Sequence, residues 1–191
     1  MATSGEGWDT LVVRYAALLR GVNLGPSRKV GMADLRRVLE DDGFGQVETY
    51  MRSGNVAFDS DEYERAPLRD RLEDVLATAF GFEISLVLVT ADDLDRVVNA
   101  NPYTEPASAD PTKVHVTFLE PAPPATTWRS LDAQDFGEEE FSVGERWIYM
   151  HLPNGMGRAS LPTALDRAAG QAVATTRNWR TVLRLVDLAG G

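Results

Sequence analysis

At 191 residues, 43% apolar and 25% charged, the chain has ordinary globular proportions and is long enough for one large domain or two small ones. Its net charge of −10 argues against bulk binding of duplex DNA, which relies on many Lys/Arg–phosphate contacts, but leaves room for a small positive pocket. The absence of cysteine excludes disulfides, thiolate zinc sites and thiol nucleophiles.

Residues 1–10 carry no basic region followed by an apolar stretch, so they read as a short disordered lead and not a secretory signal. With no apolar run of ~18 residues, no membrane span is expected, and the expected location is cytoplasmic. Residues 11–18 read as a buried strand. After a glycine-rich loop, Met32, Leu35, Val38 and Leu39 recur at helical spacing, with Gly43 as a stop. Strands follow at 47–51 and 55–59 around the hairpin signal Arg52-Ser53-Gly54. Leu68, Leu72, Val75, Leu76, Ala79 and Phe80 mark a long helix closed by Gly81, and 84–89 is a strand. Thr90 is the N-cap, with Asp93 three residues on, of a linking helix whose apolar face is Leu94, Val97 and Val98. Residues 101–111, with three prolines, read as loop.

The second half repeats the order less clearly. Residues 114–119 form a strand, 126–131 a short helix, and 140–143 pairs with 147–152 around Gly144-Glu145. A helix covers 161–169, with Pro162 in its first turn and Gly170 behind it. A short strand at 173–175 precedes a last helix at 179–188 capped by Asn178. The expected fold is therefore α+β: two βαββαβ (ferredoxin-like) units at 11–90 and 113–191, joined by a helix and Pro-containing loop at 91–112. The duplication rests on element order alone.

Strands one and two of such a unit run parallel, so the loop after the first and the turn after the second share one end of the sheet. This places residues 21–29 beside Arg52-Ser53-Gly54-Asn55. In the second unit the same logic, applied to strands three and four, brings 154–160 beside Thr176-Arg177-Asn178.

Charge points to the same segments. The stretches 20–30, 146–162 and 171–186 hold 44 residues and 8 of the 19 Lys+Arg, but none of the 29 acids. Two are rich in Gly, Asn, Ser and Thr, which bind anions through backbone and hydroxyl groups. Arg20, Arg28, Lys29, Arg52, Arg158 and Arg177 are the candidate charge-neutralising groups. Asn23, Ser53, Asn55, Ser160, Thr176 and Asn178 are the candidate orienting groups. The loop at 20–25 has neither the dinucleotide-binding spacing nor that of a Walker A loop, and a tight turn needing glycine is its plain alternative.

Trp147 and Trp179 read as core before they read as stacking platforms. His115, on an alternating strand, is a possible general base, with a hydrogen-bonded structural role as the alternative. Two separated histidines, His115 and His151, make no metal motif, and the acidic runs read as solvated surface. No cofactor is implied.

Several segments carry a resemblance: Ala17-Leu18-Leu19-Arg20-Gly21-Val22-Asn23, Ser53-Gly54-Asn55-Val56, Asn101-Pro102-Tyr103, His115-Val116-Thr117-Phe118-Leu119, residues 151–158, and Thr175-Thr176-Arg177-Asn178-Trp179-Arg180-Thr181-Val182. In this order they resemble the bacterial domain of unknown function 1697 family over nearly the whole chain. The resemblance implies a two-part α+β fold and no established activity. The chain departs from the family pattern at Pro26, where a second glycine is usual, and at Ser160, where a lysine often stands. Pro26 removes an N–H that a backbone anion nest would use.

The expected function is binding of a phosphorylated small molecule or nucleotide at these loops. One alternative is an enzyme on a phosphorylated substrate with His115 as base; another is a non-catalytic protein-interaction module. Single-stranded RNA is a lesser option, because the strands that would stack bases offer only Tyr15 and Phe58. No membrane partner is expected, and oligomeric state is left open.

Overall fold

Seven residues of alternating outlook, Val13–Leu19, form strand β1, buried on both faces. Tyr15, Ala17 and Leu19 face one core, while Ala16 and Leu18 face another. The computed structural model describes residues 12–132 and 135–190; the expected lead at 1–10 and Leu11 lie outside them. After β1 come α1 (Met32–Asp41), β2 (Gly45–Tyr50), β3 (Asn55–Ser60), α2 (Arg65–Phe80), β4 (Leu86–Thr90) and α3 (Ala91–Asn99). Then follow α4 (Thr104–Ala109), β5 (Val114–Glu120), a 3-10 turn at Ala125–Trp128 and α5 (Arg129–Asp132). The chain continues through β6 (Glu140–Val143), β7 (Trp147–His151), α6 (Leu161–Ala169), β8 (Val173–Asn178) and α7 (Trp179–Ala189).

The described residues thus form an α+β fold of two four-stranded antiparallel sheets and seven α-helices. Strand order is β2-β3-β1-β4 in one sheet and β6-β7-β5-β8 in the other. Helices α1 and α2 cover the outer face of the first sheet through Leu35, Leu39, Leu68, Leu72 and Leu76, packed with Tyr15, Phe58 and Leu88. Full burial of each leucine contributes about 1.5–3 kcal/mol. Helix α6, through Leu161 and Leu165, lies on the outer face of the second sheet with Leu119 and Ile148. Between the sheets sits a shared core of Ala16, Leu18, Val87, Val116 and Phe118, into which α3 and α7 insert Val97, Val182 and Leu185.

Local signals act where expected. Thr90 and Asp93 form a reciprocal capping box, and Asn178 Oδ1 accepts the Thr181 N–H at 3.0 Å. Two elements differ from expectation. Residues 101–111 are not all loop: α4 forms there, because Pro106 falls in its first turn, where an N–H has no helical partner to lose. Strand β8 runs to Asn178 and not to 175, since pairing with β5 carries the polar residues Thr175 to Asn178 into the sheet.

Candidate functional site

Both β1 and β2 run antiparallel to β3, so the segment after β1 and the turn after β2 meet at one end of the first sheet. Asn23 fastens them. Its Nδ2–H₂ donates to Val30 O and to Arg52 O, both at 2.9 Å, and its Oδ1 accepts the Val30 N–H at 3.0 Å. Asn23 holds φ +59, a left-handed conformation that asparagine tolerates better than most residues. Arg28 and Met51 also have positive φ, at +56 each, which costs of order 1 kcal/mol apiece and persists only under strong tertiary restraint. Gly54 has φ +69, and a Cβ there would lie 2.7 Å from both Leu19 Cβ and Val22 Cγ2, so only glycine lets the hairpin approach β1 this closely. Arg28 anchors the loop from the other side: its guanidinium donates to Glu83 O at 2.7 Å and lies 4.9 Å from the Phe82 ring centre.

Between loop and hairpin lies a cleft of about 450 Å³ lined by Asn23, Lys29, Val30, Gly31, Met32 and Arg52. Lys29 and Arg52 are exposed, and neither side chain has a hydrogen-bonding, ionic or ring partner among the described residues. No carboxylate lines the cleft. Asp34, whose Oδ2 lies over Gly31, is paired with Arg37 at 3.0 Å. The first basic cluster is therefore assembled, with two free cations and a pinned backbone.

Of the other candidate residues, all but Arg158 are bonded within the protein. Arg20 pairs with Asp166 of α6 at 2.7 Å. Arg177, only 8% exposed, turns inward between the sheets, away from its expected helix-opening surface. Its five N–H groups donate to Asn55 Oδ1, Thr175 Oγ1, Thr176 O, Leu19 O and Ser53 O. Three of these acceptors belong to β1, the hairpin and β3, so Arg177 ties β8 to the first sheet. Among the described residues no carboxylate touches it, and burial pushes its pKa down to about 10, which leaves it protonated at neutral pH. Asn55 is fully buried, giving its Nδ2 hydrogens to Tyr50 O and Ser53 Oγ.

The second basic cluster already holds anions. Glu139 accepts the Ser160 and Leu161 N–H groups at 3.1 and 2.8 Å, filling the start of α6, and Glu138 accepts from Asn154 at 3.3 Å. These acids were read as solvated surface; Glu138 and Glu139 instead accept hydrogen bonds from Asn154 and from the first N–H groups of α6. Thr176 Oγ1 pairs with Thr117 Oγ1 at 2.8 Å, while Arg158 stays exposed without a partner among the described residues.

His115 lies on β5 in the other sheet, 6% exposed, with a buried Nδ1 that has no hydrogen-bond partner. Desolvation lowers its pKa below the ordinary value, so its imidazole is neutral at pH 7. Trp147 and Trp179 are core residues, and the Trp147 indole N–H begins a buried chain through Tyr149 O–H to Val97 O. Tyr15 and Phe58 are buried beneath α1 and α2, so neither is free to stack on a base. Among the described residues no group of three His/Cys/Asp/Glu could hold a metal, and no helix is long and apolar enough to cross a membrane. Reasoning from the sequence missed Glu139 and Asp166 as partners of the acid-free stretches. Their only signal was the chain reversal that returns them in space.

Residues 12–149 match the family described as "Protein of unknown function (DUF1697)". The chain belongs to this family. It is also similar to a solved structure, "conserved bacterial protein SP0830 from Streptococcus pneumoniae", with a TM-score of 0.76 and 25% identity over 94% of this chain and 99% of that one. No curated protein matches.

Proposed function

We propose that this protein binds a phosphorylated small molecule in the cleft between the 21–31 loop and the hairpin turn after β2. The observation that carries the reading is the pair Lys29 and Arg52. Their side chains are two cations without partners among the described residues, set on separate segments that Asn23 fastens together around a cleft whose lining includes no acid. A net charge of −10 over the whole chain makes this positive site local and limits sequence-independent binding to nucleic acid. The ferredoxin-like reading of each half is supported by the strand orders β2-β3-β1-β4 and β6-β7-β5-β8. The cleft supplies charge and hydrogen-bond donors but no imidazole or carboxylate, so the reading is binding and no catalytic step is assigned.

A thermal-shift screen at low salt against organic phosphates tests it. A ligand at ~100 times its dissociation constant adds ~2.7 kcal/mol, roughly 5–10 °C in melting temperature at this chain length. The shift is expected to vanish in Lys29→Ala/Arg52→Ala. A panel with no shift, or a shift indifferent to both substitutions, defeats the reading.

A further inference from the structure

The cleft's polar atoms restrict what its ligand can be. Asn23 is the only uncharged polar side chain in the lining, and its amide is saturated: both Nδ2 hydrogens and Oδ1 are held by Val30 and Arg52 main chain. No uncharged side chain therefore remains to read a sugar hydroxyl or the edge of a base, and Lys29 and Arg52 offer donors but no acceptor. What remains is charge, +2 from Lys29 and Arg52, and the apolar surface of Met32, half-buried at the start of α1 beside the buried Val30.

Two free cations match one phosphomonoester dianion. A polyphosphate would bring more charge and normally a shared Mg²⁺, but no carboxylate lines the cleft, and no metal-holding cluster exists among the described residues. The remaining volume, of about 450 Å³ in all, suits a compact body beside the phosphate.

We infer that the cleft takes a phosphomonoester with a small apolar body, aromatic or alkyl, without a metal ion, in preference to sugar phosphates or nucleoside polyphosphates. This rests on the anion-site reading above and narrows it. The phosphate sits between Lys29 and Arg52, and the apolar body lies on Met32.

The test is calorimetric titration of the purified protein with phenyl phosphate, inorganic phosphate, ribose 5-phosphate and ATP, each with and without Mg²⁺. Phenyl phosphate is expected to bind at least ~10-fold more tightly than inorganic phosphate or ribose 5-phosphate, a factor that ~1.4 kcal/mol of apolar contact supplies. Mg²⁺ should leave its affinity unchanged. Arg52→Ala should weaken phenyl phosphate and inorganic phosphate alike, whereas Met32→Ala should weaken phenyl phosphate alone. Both variants are first checked for an unchanged circular dichroism spectrum. If Met32→Ala alters the fold, Met32→Leu replaces it, and retention of the phenyl preference is then the expected result. Ribose 5-phosphate or ATP binding as tightly as phenyl phosphate overturns this inference while leaving the anion site standing. No binding by any phosphate, or binding indifferent to Arg52→Ala and Lys29→Ala, overturns both.

Discussion

Replacing Arg177 by alanine tests the junction that holds the hairpin in place. The guanidinium is buried and serves five neutral acceptors, three of them on the first sheet's β1, hairpin and β3. A hydrogen bond from a charged donor contributes roughly 1.5–3 kcal/mol, but the desolvated cation offsets much of that sum. The cost of truncation is better worked from what is left behind. Asn55 Oδ1 is fully buried and has no other donor among the described residues, so its loss costs about 1–3 kcal/mol. Leu19 O keeps only the long 3.5 Å approach of Thr175 Oγ1. Ser53, being exposed, can find water for its carbonyl. With the cavity added, Arg177→Ala should lose about 3–5 kcal/mol. Arg177→Lys keeps the charge but has three donors for five acceptors, so about 2 kcal/mol is expected. Urea unfolding followed by circular dichroism measures both, with the slope checked for constancy. A loss below ~1 kcal/mol for the alanine variant would refute the reasoning, because it would mean that water reaches these acceptors and the junction is open.

Two further outcomes follow from buried charge and capping. Because burial lowers the folded-state pKa of His115, the unfolded chain binds more protons below about pH 6.5. Stability from this group is complete above that pH and is lost as pH falls toward the folded value. His115→Leu should remove that slope, measured as the difference in urea midpoint between pH 7.5 and 5.5, and an unchanged slope would assign it elsewhere. Glu139→Ala should destabilise by about 0.5–2 kcal/mol, since it bares two N–H groups at the start of α6. Glu139→Gln should restore part of this, and a neutral alanine variant would show that water serves α6 equally well.

The local grammar of this chain was legible without its fold. The span of α6 follows from Pro162 in its first turn and Gly170 at its end, and the capping of α3 and α7 follows from Thr90 with Asp93 and from Asn178. The meeting of the first loop with the hairpin was also legible, because the handedness of strand connections fixes which ends coincide. All these depend on neighbours a few residues apart or on chain chirality. The fate of each charge did not. Stretches free of acid along the chain are not free of acid in space: Asp166 reaches Arg20 across 146 residues, and Glu139 fills the start of α6 from 21 residues before Ser160. Arg177, in an otherwise polar run, turns inward because strand pairing with Val116 puts it on the face between the sheets. Periodicity is carried by the backbone, whereas ion pairing depends on distances that only packing sets. Tertiary structure alone decided that the side chains of Lys29 and Arg52 are the pair left without partners among the described residues around one cleft.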